Sequence, residues 1–109
     1  MALTGQSATT GSALNYTLSV PTGATDLSFS ISGGTGDVDL YVRFGRAPTL
    51  TTYTCRPFLN GNNETCTFAA PQAGTWYVMV DAFSTFSGVS VLGSHTPAST
   101  GGGSGYYAG

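Results

Sequence analysis

The dominant pattern along the chain is alternation of apolar and polar residues with a period of two. Val38, Leu40, Val42 and Phe44 alternate with Asp37, Asp39, Tyr41 and Arg43. Successive side chains of an extended strand point to opposite faces, so the first set requires a core and the second faces away from it. The same period runs through Leu14, Tyr16, Leu18 and Val20, through Leu27, Phe29 and Ile31, and through Trp76, Val78, Val80 and Ala82. Shorter alternating stretches lie at 64–68 and 89–91. Turn residues rich in Gly, Pro and Asn fall at 21–24, 33–36, 60–61 and 71–74. No stretch carries the i, i+3, i+4 apolar repeat of a helix. The pattern predicts an all-β protein: an antiparallel β-sandwich, jelly-roll-like, of about seven or eight strands.

Three segments lie outside the alternation. Residues 1–12 predict a lead-in or a short edge strand, 50–62 an irregular excursion, and 83–88 a loop holding two aromatics. The sandwich itself is expected over 13–95. The inward set is Leu14, Tyr16, Leu18, Val20, Leu27, Phe29, Ile31, Val38, Leu40, Val42, Phe44, Phe68, Trp76, Val78, Val80 and Val89. Burying a large apolar side chain contributes roughly 1.5–3 kcal/mol, so this set is a sufficient core for one domain.

Composition narrows the partners. Charged residues are 7% of the chain, against about 25% in an average domain. There is no Lys; the cations are Arg43, Arg46 and Arg56, and the formal net charge is -2. Nothing here attracts nucleic acid or an anionic membrane. Nor is there an apolar run long enough for a transmembrane helix. Met1-Ala2-Leu3-Thr4 lacks the basic and apolar regions of a signal peptide, so any export signal is expected to have been removed already.

Cys55 and Cys66 are the two cysteines. Two cysteines do not complete a four-ligand zinc site, and their spacing is not that of a C-x-x-C redox motif. They predict a disulfide that pins the excursion between them, with a loop-entropy gain of roughly 3 kcal/mol. Such a bond implies an oxidising compartment.

Four motifs then occur together: Gly36-Asp37-Val38-Asp39-Leu40-Tyr41-Val42, Cys55-Arg56-Pro57, Asn62-Asn63-Glu64-Thr65-Cys66 and Ala73-Gly74-Thr75-Trp76-Tyr77-Val78. In this order, with the paired cysteines, the chain resembles the bacterial pre-peptidase C-terminal domain over residues 12–93. That domain follows the catalytic domain of many secreted metallo- and serine proteases. The resemblance implies a secreted, bacterial, extracellular β-sandwich accessory module without catalytic activity, sometimes clipped off during maturation. Relatives of that family, including the collagen-binding domains of clostridial collagenases, bind insoluble protein, and some bind calcium.

The candidate chemistry follows. A Ser/His/Asp triad needs a His inside the fold, and His95 lies at its edge, in what reads as a solvated tail. Asp37 and Asp39 share one strand, so they do not flank a cleft as paired acids must. No enzyme is expected. The candidate calcium ligands are Asp37, Asp39 and Asp81, which converge if the two strongest strands are neighbours; the alternative for Asp37 is an ordinary turn acceptor. The candidate contact surface is Tyr41, Arg43, Tyr77 and Met79 on the outward strand faces, with Tyr53, Arg56 and Phe58 in the pinned loop. The alternative is cross-strand pairing that only stabilises the sheet. Residues 96–109 form a Gly/Ser/Tyr-rich tail. Tyr106 and Tyr107 at its end are candidates for docking on the same domain or on a neighbouring copy.

The leading expectation is a module that tethers a secreted hydrolase to an insoluble extracellular polymer, a collagen-like protein or a polysaccharide. The alternatives are a self-associating structural subunit, in which the tail crosses to a neighbour, and a cleavable secretion or maturation appendage.

Overall fold

A computed structural model of the chain describes residues 1–57 and 61–98. It contains six strands and no helix among the described residues. They are β1 (Ala2–Ala8), β2 (Ala13–Val20), β3 (Thr25–Ser32), β4 (Thr35–Phe44), β5 (Glu64–Phe68) and β6 (Gly74–Thr96). All pairings between them are antiparallel.

β6 is the axis of the fold. Its first half lies between β2 and β4, with Trp76 opposite both Leu18 and Phe44, and Val80 opposite both Leu14 and Leu40. Its second half lies between β1 and β3, with Val91 opposite both Leu3 and Ile31, and β5 adds to the far side of β3. One strand thus contributes the centre of both layers. This is why there are fewer strands than the alternation suggests: the expected loop at 83–88 is continuous strand. Ser84, Thr85, Ser87 and Gly88 have the composition of a loop, yet Phe86 among them is 1% exposed and belongs to the core.

The passage of β6 from one layer to the other is made possible by glycine on the neighbouring strand. The β4–β6 register slips between Thr35 and Val38. Gly36 has φ +88°, and a Cβ there would lie 2.1 Å from the Thr85 carbonyl oxygen. A side chain at that position would separate the two backbones.

The core has Leu27, Phe29, Ile31, Val89 and Val91 from one layer facing Val38, Leu40, Val42, Val78 and Val80 from the other. Trp76 closes one end, with Phe29, Phe44 and Phe68 at ring-centroid distances of 6.4, 5.2 and 4.6 Å. Its indole N–H donates to the Gln72 carbonyl at 3.0 Å. Leu14, Tyr16 and Leu18 are only half-buried because β2 borders its layer. Of the two forms expected for residues 1–12, β1 takes the edge strand, and His95 lies half-buried within β6 rather than in a solvated tail.

The outer edge of β4 is closed by the excursion that follows it. Asn62 Oδ1 accepts from Val38 N–H at 3.0 Å, and Glu64 Oε1 accepts from Leu40 N–H at 2.7 Å. The Cys55 carbonyl accepts from Val42 N–H at 2.9 Å, and Thr54 Oγ1 from Phe44 N–H at 3.2 Å. The Val42 carbonyl in turn accepts from the N–H groups of Thr54 and Cys55. Asn62 Nδ2 also donates to the carbonyls of Gly33 and Thr35. The Cys55–Cys66 disulfide ties this cover to β5 in the opposite layer.

Two outcomes test this arrangement. Replacing both cysteines by Ser releases the cover, and chemical denaturation should show a loss of about 3 kcal/mol. Asn62→Ala strands the part-buried Val38 N–H; the same measurement should show a loss of about 1–3 kcal/mol.

Candidate functional site: the covered face of the β2–β6–β4 layer

The outward face of this layer carries three direct cross-strand pairs: Asp39 opposite Asp81, Tyr41 opposite Met79 and Arg43 opposite Tyr77. The expected convergence of Asp39 and Asp81 on neighbouring strands is therefore present. The face is not open, however. Asp39 is 6%, Tyr41 3% and Met79 8% exposed. The expectation that Tyr41 and Met79 form an exposed contact surface is corrected: both are buried. The cause is the pinned excursion, which lies over the face and buries β4 on both sides.

Arg56 belongs to that cover. Its guanidinium carbon lies 5.2 Å from the centre of the Tyr41 ring and 5.9 Å from that of Tyr53. The two tyrosines meet edge to face at 5.6 Å. Stacked cation and rings form one rigid unit. The same guanidinium faces the acid pair. Burial pushes the Asp39 carboxyl above the usual carboxylate range; the neighbouring Asp37 and Asp81 add to this, and Arg56 opposes it. Burial likewise raises Asp81, again opposed by Arg56. Burial raises the Tyr41 phenol as well.

Among the described residues, no three or more of His, Cys, Asp and Glu form a group that could hold a metal ion. Calcium takes six to eight oxygens, and here a guanidinium stands beside the carboxylates. Asp37 is half-buried, with one carboxylate oxygen enclosed and without a hydrogen-bond partner. Glu64, next to the disulfide, caps Leu40.

The remaining expected contact residues divide. Arg43 is half-buried and donates from Nη1 to the Ala47 carbonyl at 3.4 Å. Tyr77 lines a shallow groove of about 310 Å³ with Asn15, Thr17 and Ala47. Tyr53 is 39% exposed at the crest of the cover, and Leu50, which the alternation did not single out, is 57% exposed near it in sequence. An isolated Leu in a Thr-rich, non-alternating stretch was the available signal. Phe83 and Leu92 on β6 are also exposed. Phe58, Tyr106 and Tyr107 lie outside the described residues.

Buried Asp39, opposite half-buried Asp81, gives a pH signature. A carboxyl raised in the folded state is disfavoured when ionised, so the stability it allows is complete below the ordinary Asp value of about 3.9 and is lost as pH rises through the folded value. Asp39→Asn should therefore melt higher than the parent chain at pH 7, and the difference should close as pH falls toward about 4. Thermal melts of both proteins across pH 4–8 check this.

Comparison with known proteins supplies the relatives. Residues 13–82 match the family described as the bacterial pre-peptidase C-terminal domain. The chain is 56% identical over 93 residues to an extracellular protease of Xanthomonas campestris pv. campestris, covering 85% of this chain and 16% of that one. It is 44% identical over 93 residues to alkaline serine exoprotease A of Vibrio alginolyticus, covering 85% and 17%. It is 43% identical over 89 residues to a zinc metalloprotease of Helicobacter pylori, covering 82% and 34%. The chain thus spans from about a sixth to a third of the length of these relatives. Among solved structures it superimposes on the solution structure of vEP C-ter 100 with TM-score 0.71 and 38% identity, covering 83% of this chain and 88% of that one. A periplasmic inhibitor of g-type lysozyme from Aeromonas hydrophila shares the fold alone, with TM-score 0.60, 17% identity and coverage of 85% and 86%. The matched segment is a non-catalytic part of relatives whose protease chemistry lies elsewhere in their length, and with its disulfide it is a secreted, extracellular unit. The chain belongs to the bacterial pre-peptidase C-terminal domain family.

Proposed function

We propose that this domain is a non-catalytic tether that holds an attached secreted protease against an insoluble extracellular polymer, a fibrous protein of the collagen type. The observation that carries the reading is the rigid crest of the cover. Leu50 and Tyr53 stand exposed on a segment pinned by the disulfide, by the bonds to Val42 and by the Arg56 stack. A contact group ordered before binding loses little entropy when it binds. Aromatic residues are the usual anchors of protein contacts. Aromatic-lined grooves also suit polyproline-type chains, the conformation of each collagen strand, and Tyr77 offers such a lining beside the crest's own segment at Ala47. A surface with so few charges approaches a neutral fibre without the cost of desolvating ions.

Co-sedimentation with insoluble collagen, and in parallel with chitin, tests the proposal. The domain should pellet with collagen, and Leu50→Ala with Tyr53→Ala should weaken retention by about tenfold or more. Retention on chitin alone would make the polymer a polysaccharide. Retention on neither would remove the tether, and full retention by the double variant would move the contact elsewhere.

A further inference from the structure

The two layers end in four strand edges, and the molecule treats one of them differently. β4 is capped as described. β5 has five residues and is tied at Cys66 to the cover. β1 slips register with β6 twice and contains Gly5 at φ +64°. Bulges and short lengths of this kind discourage pairing by another chain. β2 has none of these devices. All eight of its residues pair with β6 in one unbroken register, and it contains no Gly, Pro or charged residue. Among the described residues it has a strand partner on its β6 side alone. Its inward row of Leu14, Tyr16 and Leu18 remains only half-buried.

We infer that the free edge of β2 pairs with β2 of a second copy of this chain, antiparallel about a two-fold axis at Thr17. The strand is its own complement in that register. Thr17 faces Thr17, Tyr16 faces Leu18, Leu14 faces Val20, and Asn15 faces Ser19. Apolar thus meets apolar on the inner face and amide or hydroxyl meets hydroxyl on the outer, with no like charges opposed. The three-stranded layer becomes a continuous sheet of six, and each half-buried inner side chain gains a cross-strand neighbour. A foreign strand would require that pattern to be matched by chance. One strand pair buries less than the roughly 1,000 Å² of a typical specific interface, so the dimer forms at high local concentration. The inference stands apart from the tether reading and does not depend on it.

Sedimentation velocity of the full chain from about 10 µM to 1 mM, with amide chemical shifts over the same range, tests it; the range spans the weak affinities expected of so small an interface. The expected result is a mass rising toward twice that of the monomer, with shifts confined to residues 13–20. Thr17→Lys places two cations on the axis and should weaken association at least tenfold, with an unchanged melting temperature showing that the monomer is intact. A monomer throughout the range overturns the proposal. So does a dimer whose shifts map to β1 or β5, undiminished association of Thr17→Lys, or loss of the dimer on deleting residues 99–109. Shifts in β2 produced only by an added synthetic peptide of the 13–20 sequence, with the whole chain monomeric, would make the partner a foreign strand and likewise overturn it.

Discussion

The structure depends on satisfying the outer edge of β4. This strand places apolar side chains into the sandwich and carries Asp39 and Tyr41 on its other face, both of them buried. A strand buried on both faces cannot leave its edge amides unpaired, because a buried N–H without a partner costs about as much as a lost hydrogen bond. Among the described residues, no second regular strand is available as its neighbour. The chain instead returns as a cover that supplies one acceptor after another: Asn62, Glu64, the Cys55 carbonyl and Thr54. The motifs Cys55-Arg56-Pro57 and Asn62-Asn63-Glu64-Thr65-Cys66 are therefore largely architectural. Glu64, a carboxylate at 2% exposure, is an edge cap by geometry.

The same cover organises the electrostatics. Asp39 and Asp81 sit directly opposite each other, an arrangement that destabilises a sheet unless it is compensated. Arg56 brings the compensating charge from the cover, and its stacking on Tyr41 and Tyr53 fixes the guanidinium where the acids need it. In a chain with three cations, one is committed to this place. Asp39 and Asp81 are two of the three residues that the sequence suggested as calcium ligands, and Arg56 stands beside both.

Period-two alternation made β2, β3, β4 and the first half of β6 legible, because each has one face on the core. The disulfide was legible from cysteine number and spacing. What could not be read locally was the burial of Tyr41 and Met79. Their outward positions follow from the strand period, but their cover comes from a segment more than ten positions away from either residue, and no local pattern encodes it. The continuity of β6 was hidden for a different reason. Ser84, Thr85, Ser87 and Gly88 read as loop, and only the glycine of β4 that allows Thr85 to approach explains why they extend as strand. Leu50 and Tyr53 were obscured because exposure in an irregular segment leaves no periodic trace.

The shared central strand sets the order of assembly. β1, β2 and β4 each find their strand partner in β6, while β3 alone also pairs with β5. Residues 74–96 are the last of the six described strands to leave a ribosome or a translocation pore. Until they emerge, neither layer has its middle, and the preceding segments can close only the β3–β5 ladder and the cover on the β4 edge. Non-local pairings of this kind form slowly, since loop closure must precede their reward. A domain so wired cannot complete either layer until its central strand has crossed a membrane channel, and it then closes both layers together in the compartment where its two thiols can be oxidised.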